Sequence, residues 1–150
     1  MFRFFLVLQA LILSSYAQGN PPPFPGVINA VDSTTLISEA IYAETLRQGF
    51  TKAIIRGLEA SCGAGAEVNS NFVGSYNNAR AAGYTDIDTY WMPCNGNGNN
   101  CKPYSAQLAL LARAFIENHM DIGTIWLDIE QFTYCSSNVG IQVITANSIH

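Results

Sequence analysis

The chain has 150 residues, 49% of them hydrophobic and only 12% charged, with a formal net charge of −4. That apolar content supports a packed core and excludes an intrinsically disordered chain, and the length suits one domain of modest size. The acidic balance excludes the basic face that nucleic-acid binding needs, and it excludes adhesion to anionic polymers by charge alone.

Met1, Phe2 and Arg3 form a short basic start, residues 4–13 are almost wholly apolar, and Ser15 and Ala17 place small side chains where a signal peptidase cuts. A membrane-spanning helix needs about 20 apolar residues, more than this run supplies. Residues 1–17 are therefore expected to be a secretory signal peptide cleaved after Ala17, and no later stretch reads as a membrane span. Residues 18–25, with four prolines, read as a stiff extended leader. Residues 26–150 are expected to form the domain of a secreted, extracellular protein, with its oligomeric state left open.

A first strand is predicted over 26–31, ending at Asp32. Ser33 or Thr34 is placed to cap a helix over 35–48 that Gly49 closes. Residues 52–58, with Ala53-Ile54-Ile55, read as a second strand, and 62–67 as a Gly/Ala loop. A helix over 71–82 carries Phe72, Tyr76 and Ala79 at helical spacing and stops at Gly83. A third strand follows over 84–92, with Ile87, Thr89 and Trp91 pointing one way. Beyond the Asn/Gly loop at 95–100, Pro103 opens a helix over 104–118 with Leu108, Leu111, Ala112 and Phe115 along one face. Asp121, Ile122 and Gly123 turn the chain into a fourth strand over 124–129. Alternation of strands and helices about 30 residues apart predicts an α/β fold: a partial, TIM-like (β/α) barrel of about four parallel strands with outer helices.

Four cysteines lie in the domain: Cys62, Cys94, Cys101 and Cys135. In an exported chain an even number reads as disulfides, with three pairings open. Cys94–Cys101 is favoured because it would pin the flexible loop between them, which leaves Cys62 with Cys135. A zinc site is the competing reading, but only His119 and His150 could assist, and no cysteines are closely paired. His119 sits late in its helix, where its charge suits the C-terminus, and no chemistry is assigned to it.

Parallel sheets and (β/α) barrels bind ligands at the carboxyl ends of their strands. Asp32 ends the first strand, Tyr90 and Trp91 the third, and Asp128 and Glu130 the fourth. Residues two apart in an extended segment face the same way, so Asp128 and Glu130 project together, roughly 6–7 Å apart at their Cα atoms. Two acids that close in a half-dry cleft separate into a proton donor and an anion. Glycosidic cleavage needs that division: an acid for the leaving oxygen and a carboxylate beside the oxocarbenium-like transition state. Tyr90, Trp91 and Trp126 offer flat apolar faces for sugar rings. On their own, however, two acids one residue apart also serve as helix caps or metal ligands, and aromatic residues also serve as core. Arg56 and Glu59 either pair structurally or line the cleft, with Glu59 read as structural.

Four stretches in order carry a resemblance: Gly26-Val27 with Ala30-Val31-Asp32, the run from Asn77 to Gly83, Asp88-Thr89-Tyr90-Trp91-Met92-Pro93-Cys94, and Ile125-Trp126-Leu127-Asp128-Ile129-Glu130. Together they resemble family 25 glycoside hydrolases, the Chalaropsis-type lysozymes, in their secreted eukaryotic branch. The resemblance covers roughly residues 25–131. It implies an N-acetylmuramidase that cuts the β-1,4 bond between N-acetylmuramic acid and N-acetylglucosamine in bacterial peptidoglycan, without metal or organic cofactor. It also implies that Glu130 is the general acid. Asp128 is its partner, orienting or stabilising the reacting sugar with the substrate's own acetamido group as a candidate nucleophile. Asp32 is the carboxylate of the first strand, and Tyr90 lines the cleft. The family's barrel has about eight strands, so a domain incomplete at its C-terminus is expected here, with a non-catalytic sugar-binding relic as the alternative.

Overall fold

The computed structural model describes residues 28–61, 64–94 and 100–129. The expected signal peptide and leader, with Cys62, Glu130 and Cys135, lie outside the described residues. Eight elements follow in order: β1 (Ala30–Ser33), α1 (Glu39–Arg47), β2 (Lys52–Glu59), β3 (Glu67–Val68), α2 (Phe72–Ala82), β4 (Asp86–Trp91), α3 (Tyr104–Glu117) and β5 (Ile125–Leu127).

The sheet runs β1-β2-β4-β5, every one of these neighbours parallel, with the two-residue β3 antiparallel to the end of β2. Parallel strands in chain order, without a reversal, are the winding of a (β/α) barrel rather than of a doubly wound sheet. Packing agrees with that winding. Tyr42 of α1, Phe72, Tyr76 and Ala79 of α2 and Leu111 of α3 join Ala53, Ile55, Ile87 and Trp91 in one buried cluster. These strand residues share one face by the two-residue alternation, so all three helices cover the same side. The expected partial α/β barrel is therefore present as an arc of four parallel strands.

Several boundaries move, each for a visible reason. The first strand starts at Ala30 and contains Asp32, because its pairing with β2 begins at Ala30–Lys52. The first helix begins at Glu39, with Ser38 rather than Ser33 or Thr34 as its cap; the Ser38 hydroxyl accepts from Ile41 N at 3.4 Å. Residues 35–37 are drawn onto α2 instead: Ser75 Oγ donates to Thr35 O, Ile37 N donates to Ser75 Oγ, and Asn78 Nδ2 donates to Ile37 O at 2.7 Å. Within the predicted 62–67 loop, Glu67 starts the short strand β3. On α3, Ala112 faces solvent; Gln107, Leu111 and Ala114 are the buried positions. His119 lies past the helix end, with φ at 51° beyond the capping Asn118. The last strand shortens to three residues.

Two features fix the upper end of the sheet. Register slips between Arg56 and Leu58, where β2 carries one extra residue against β4. Gly57 sits at this bulge, and a Cβ there would lie 2.3 Å from Thr89 Oγ1 and 2.6 Å from Leu111 Cδ1. Only a glycine lets α3 and β4 close over it. Beyond β4, Cys94 and Cys101 form the expected disulfide, with Cα atoms 5.4 Å apart. The fully buried Gln107 secures this loop: Oε1 accepts from Cys94 N at 2.9 Å and Trp91 Nε1 at 3.3 Å, while Nε2 donates to Cys94 O at 2.9 Å and Lys102 O at 2.7 Å. Among the described residues no helix is long and apolar enough to cross a membrane.

Candidate active site

The face of the sheet turned away from the helices is polar, and its residues form layers, as inward-facing residues do in barrels. Lowest are Ala30, Lys52 and Asp86, in register; next are Asp32, Ile54 and Asp88; above them lie Arg56, Tyr90 and Trp126. Asp128 follows immediately after β5, its N–H donating to Trp91 O at 2.9 Å. That bond continues the β4–β5 ladder one step and lifts the Asp128 side chain onto the polar face, at the carboxyl ends of the strands.

Asp32 and Asp128 are brought into electrostatic contact on this rim. Burial raises the proton affinity of Asp32, and the negative charge of Asp128 raises it further, against the pull of Arg56 and a backbone hydrogen bond at Ser33. Asp128 is likewise held above the ordinary carboxylate range by burial, with Arg56 opposing. A pair so raised suits chemistry in which one carboxyl keeps a proton while the other is anionic.

Arg56 stands among these acids. Its Nε donates to the Tyr90 hydroxyl at 2.9 Å, its guanidinium carbon lies 5.4 Å from the Tyr90 ring centroid, and Nη1 donates to Glu59 Oε2 at 3.3 Å. Glu59 reaches the same side as Arg56, three residues away, because the bulge at Gly57 resets the alternation. Asn69 Nδ2 holds the same Glu59 oxygen at 3.0 Å. Burial works against the Arg56 charge, but Tyr90 and Glu59 outweigh it and hold its proton more tightly than usual. Tyr90 is 7% exposed. Burial pushes its phenol up, Asp32 and Asp128 add to that, and Arg56 opposes.

Below this rim Asp88 is fully buried. It accepts from Lys52 Nζ at 2.7 Å, Trp126 Nε1 at 2.9 Å and Thr124 N at 3.0 Å. Burial alone would raise its pKa, but the bonds from Lys52 and Trp126, the Lys52 charge and the Thr124 amide together bring it below the usual range. A Cβ at Gly123 would lie 2.8 Å from Asp88 Oδ1, so the bare glycine lets the chain entering β5 close onto the carboxylate.

Of the residues singled out from sequence, Asp32, Tyr90, Trp126 and Asp128 share this face. Trp126 is 49% exposed. Trp91 does not join them. It lies beneath α3 on the opposite face, 2% exposed and edge-on to Tyr104, so its place is in the core rather than beside a sugar. Glu130, two residues past Asp128, lies outside the described residues, as do Cys62 and Cys135. Sequence reasoning missed Lys52 and Asp88. The signal for both was charges confined to positions of one parity, Lys52 and Arg56 on one strand and Asp86 and Asp88 on another, where a parallel strand buried on both faces would be apolar throughout. Among the described residues no group of three or more His, Cys, Asp or Glu is placed to hold a metal ion.

Comparison with known proteins gives the site a context. The family described as "Lysozyme-like protein 1" matches residues 25–149. "Lysozyme-like protein 5" of Caenorhabditis elegans is 30% identical over 106 residues, 71% of this chain and 46% of that protein. "Probable GH family 25 lysozyme 4" of Dictyostelium discoideum is 35% identical over 108 residues, 70% of this chain and 47% of that protein. The chain thus spans about half the length of these curated relatives. No solved structure matches. On the family match, the two relatives and the parallel sheet with acids on its carboxyl rim, the chain belongs to the lysozyme-like family, of the glycoside hydrolase family 25 type.

Proposed function

We propose that this chain is an exported muramidase that hydrolyses the β-1,4 bond between N-acetylmuramic acid and N-acetylglucosamine in bacterial peptidoglycan, in digestion of or defence against bacteria. The observation that carries the reading is the convergence of Asp32 and Asp128 on one rim, both with raised proton affinity, beside the exposed ring of Trp126. Glu130 is the general acid that protonates the leaving glycosidic oxygen. As the C1–O bond breaks, Asp128 stabilises the oxocarbenium-like sugar or orients its acetamido group for attack, and water completes hydrolysis. Asp32, raised by burial and by the charge of Asp128, keeps a proton in the cluster, and Arg56 limits how far both acids rise. Tyr90 closes the floor of the cleft, and the indole of Trp126 lies along a sugar ring. Export is supported by the apolar run over 4–13 behind Arg3.

The test is clearing of a turbid bacterial cell-wall suspension. The native chain is expected to clear it, and Glu130→Gln to do so at least about a hundredfold more slowly, the scale of a lost general acid. Equal clearing by both sinks the assignment of Glu130. A second reading, binding of peptidoglycan without turnover, rests on the half-exposed ring of Trp126, which can hold a sugar whether or not the bond beside it is cut. It predicts bound glycan and no new reducing ends.

A further inference from the structure

Asp88 is a costly residue to bury, and its geometry indicates what it is for. Pairing Lys52 is not a sufficient reason, because Lys52 Nζ already holds Asp86 at the same 2.7 Å. Securing the chain into β5 is not sufficient either. Gly123 N donates to Ile87 O at 2.9 Å and Thr89 N donates to Thr124 O at 3.0 Å, two main-chain bonds that make that join without Asp88. What Asp88 alone provides is an acceptor for the indole of Trp126, at 2.9 Å. The other anchors on that ring are few. β5 is three residues long, its described partner is β4 alone, and half of the Trp126 surface is open. The charged bond to its N–H therefore sets which way the apolar ring face is turned.

We propose that Asp88 is a positioning residue for the glycan cleft: it holds the Trp126 indole from below and so fixes that ring as a sugar platform beside Asp128. This deepens the muramidase reading and rests on it. Lys52 serves the same end by keeping Asp88 charged, while Asp86 shares the lysine from the layer below.

Trp91 and Trp126 are the two tryptophans of the chain, and Trp91 is buried, so quenching of their emission by acrylamide reads the ring of Trp126. Asp88→Asn is expected to raise that quenching. In calorimetry with soluble, peptide-free peptidoglycan glycan strands it should weaken binding about tenfold, the scale of one charge-assisted hydrogen bond. Trp126→Phe should weaken binding as well. The double variant should be no weaker than Trp126→Phe alone, since residues acting through one contact are not additive. Losses that multiply in the double variant, or an Asp88→Asn chain that binds like the native one, overturn the proposal. If Asp88→Asn does not fold, benzothienylalanine at position 126 replaces it, keeping the fused ring and removing the N–H. A loss of similar size supports the proposal and native affinity overturns it. A native chain that binds no glycan removes the muramidase reading and the platform together, which is distinct from glycan binding that is indifferent to Asp88.

Discussion

On the helix-covered side of the sheet, Ala53, Ile55, Ile87 and Trp91 are at most 2% exposed and meet side chains of three helices. On the other side the same strands carry Lys52, Arg56, Asp88 and Tyr90, tied to one another by charge-assisted hydrogen bonds. Trp91 and Trp126 belong to neighbouring strands and differ in little but parity, yet one is core and the other half in solvent. The difference teaches that stability and chemistry are separated by the two-residue alternation of a strand. Substitutions on the helix side should unfold the chain, and those on the polar side should disable it.

The largest effect on stability is expected from Trp91→Ala, a loss of about 3–5 kcal/mol by urea denaturation, as for other buried large aromatics. A loss under about 1 kcal/mol would break the contrast. Next comes Gly57→Ala, where the added methyl meets Thr89 and Leu111; overpacking of this kind costs about 1–3 kcal/mol. Ser38→Ala removes the cap of α1 and should cost about 1 kcal/mol in the same assay. The smallest effect is expected from Trp126→Ala, within about 0.5–1 kcal/mol of the native chain because its ring is half exposed. Glycan affinity should fall while stability holds.

The pH dependence separates the two levels of the polar side. Asp32 and Asp128 have raised affinities in the folded chain, so the folded state retains protons that the unfolded state has released. Their effect is a decline in stability as pH rises from the ordinary carboxylate value through the raised one. Asp32→Asn should abolish its share of that decline. Asp88 works in the opposite sense. Its lowered pKa stabilises the fold above the ordinary carboxylate value, and this is lost as pH falls through the folded one. Urea midpoints of native, Asp32→Asn and Asp88→Asn chains measured across the acid range check both signs.

Much of this arrangement was legible in the sequence. The apolar run Ala53-Ile54-Ile55 and the alternation of Ile87, Thr89 and Trp91 give the two central strands, and the helix between them follows from the spacing of Phe72, Tyr76 and Ala79. Asp32 and Asp128 emerge on one rim because strand ends in a parallel sheet share a side. The start of α1 was not legible, since Ser75 and Asn78, some 40 residues away in the chain, take up the polar groups of residues 35–37. Trp91 was misplaced by its type: an aromatic near acids suggests a sugar platform, but its odd position, shared with Ile87 and Thr89, puts it beneath α3. Asp88 and Lys52 were hidden because a local pattern carries charge but not burial. The bulge at Gly57 was equally hidden, as it depends on contact with Thr89 and Leu111.

Gln107 uses its whole side-chain amide, two bonds accepted and two donated, all inside the protein. Its oxygen and nitrogen cannot be exchanged without setting like groups against each other, which makes the carboxamide a polarity key. Deamidation there would install an anion opposite two carbonyl oxygens. A single chemical ageing event at Gln107 would thus loosen the disulfide loop from beneath, with every covalent cross-link still intact.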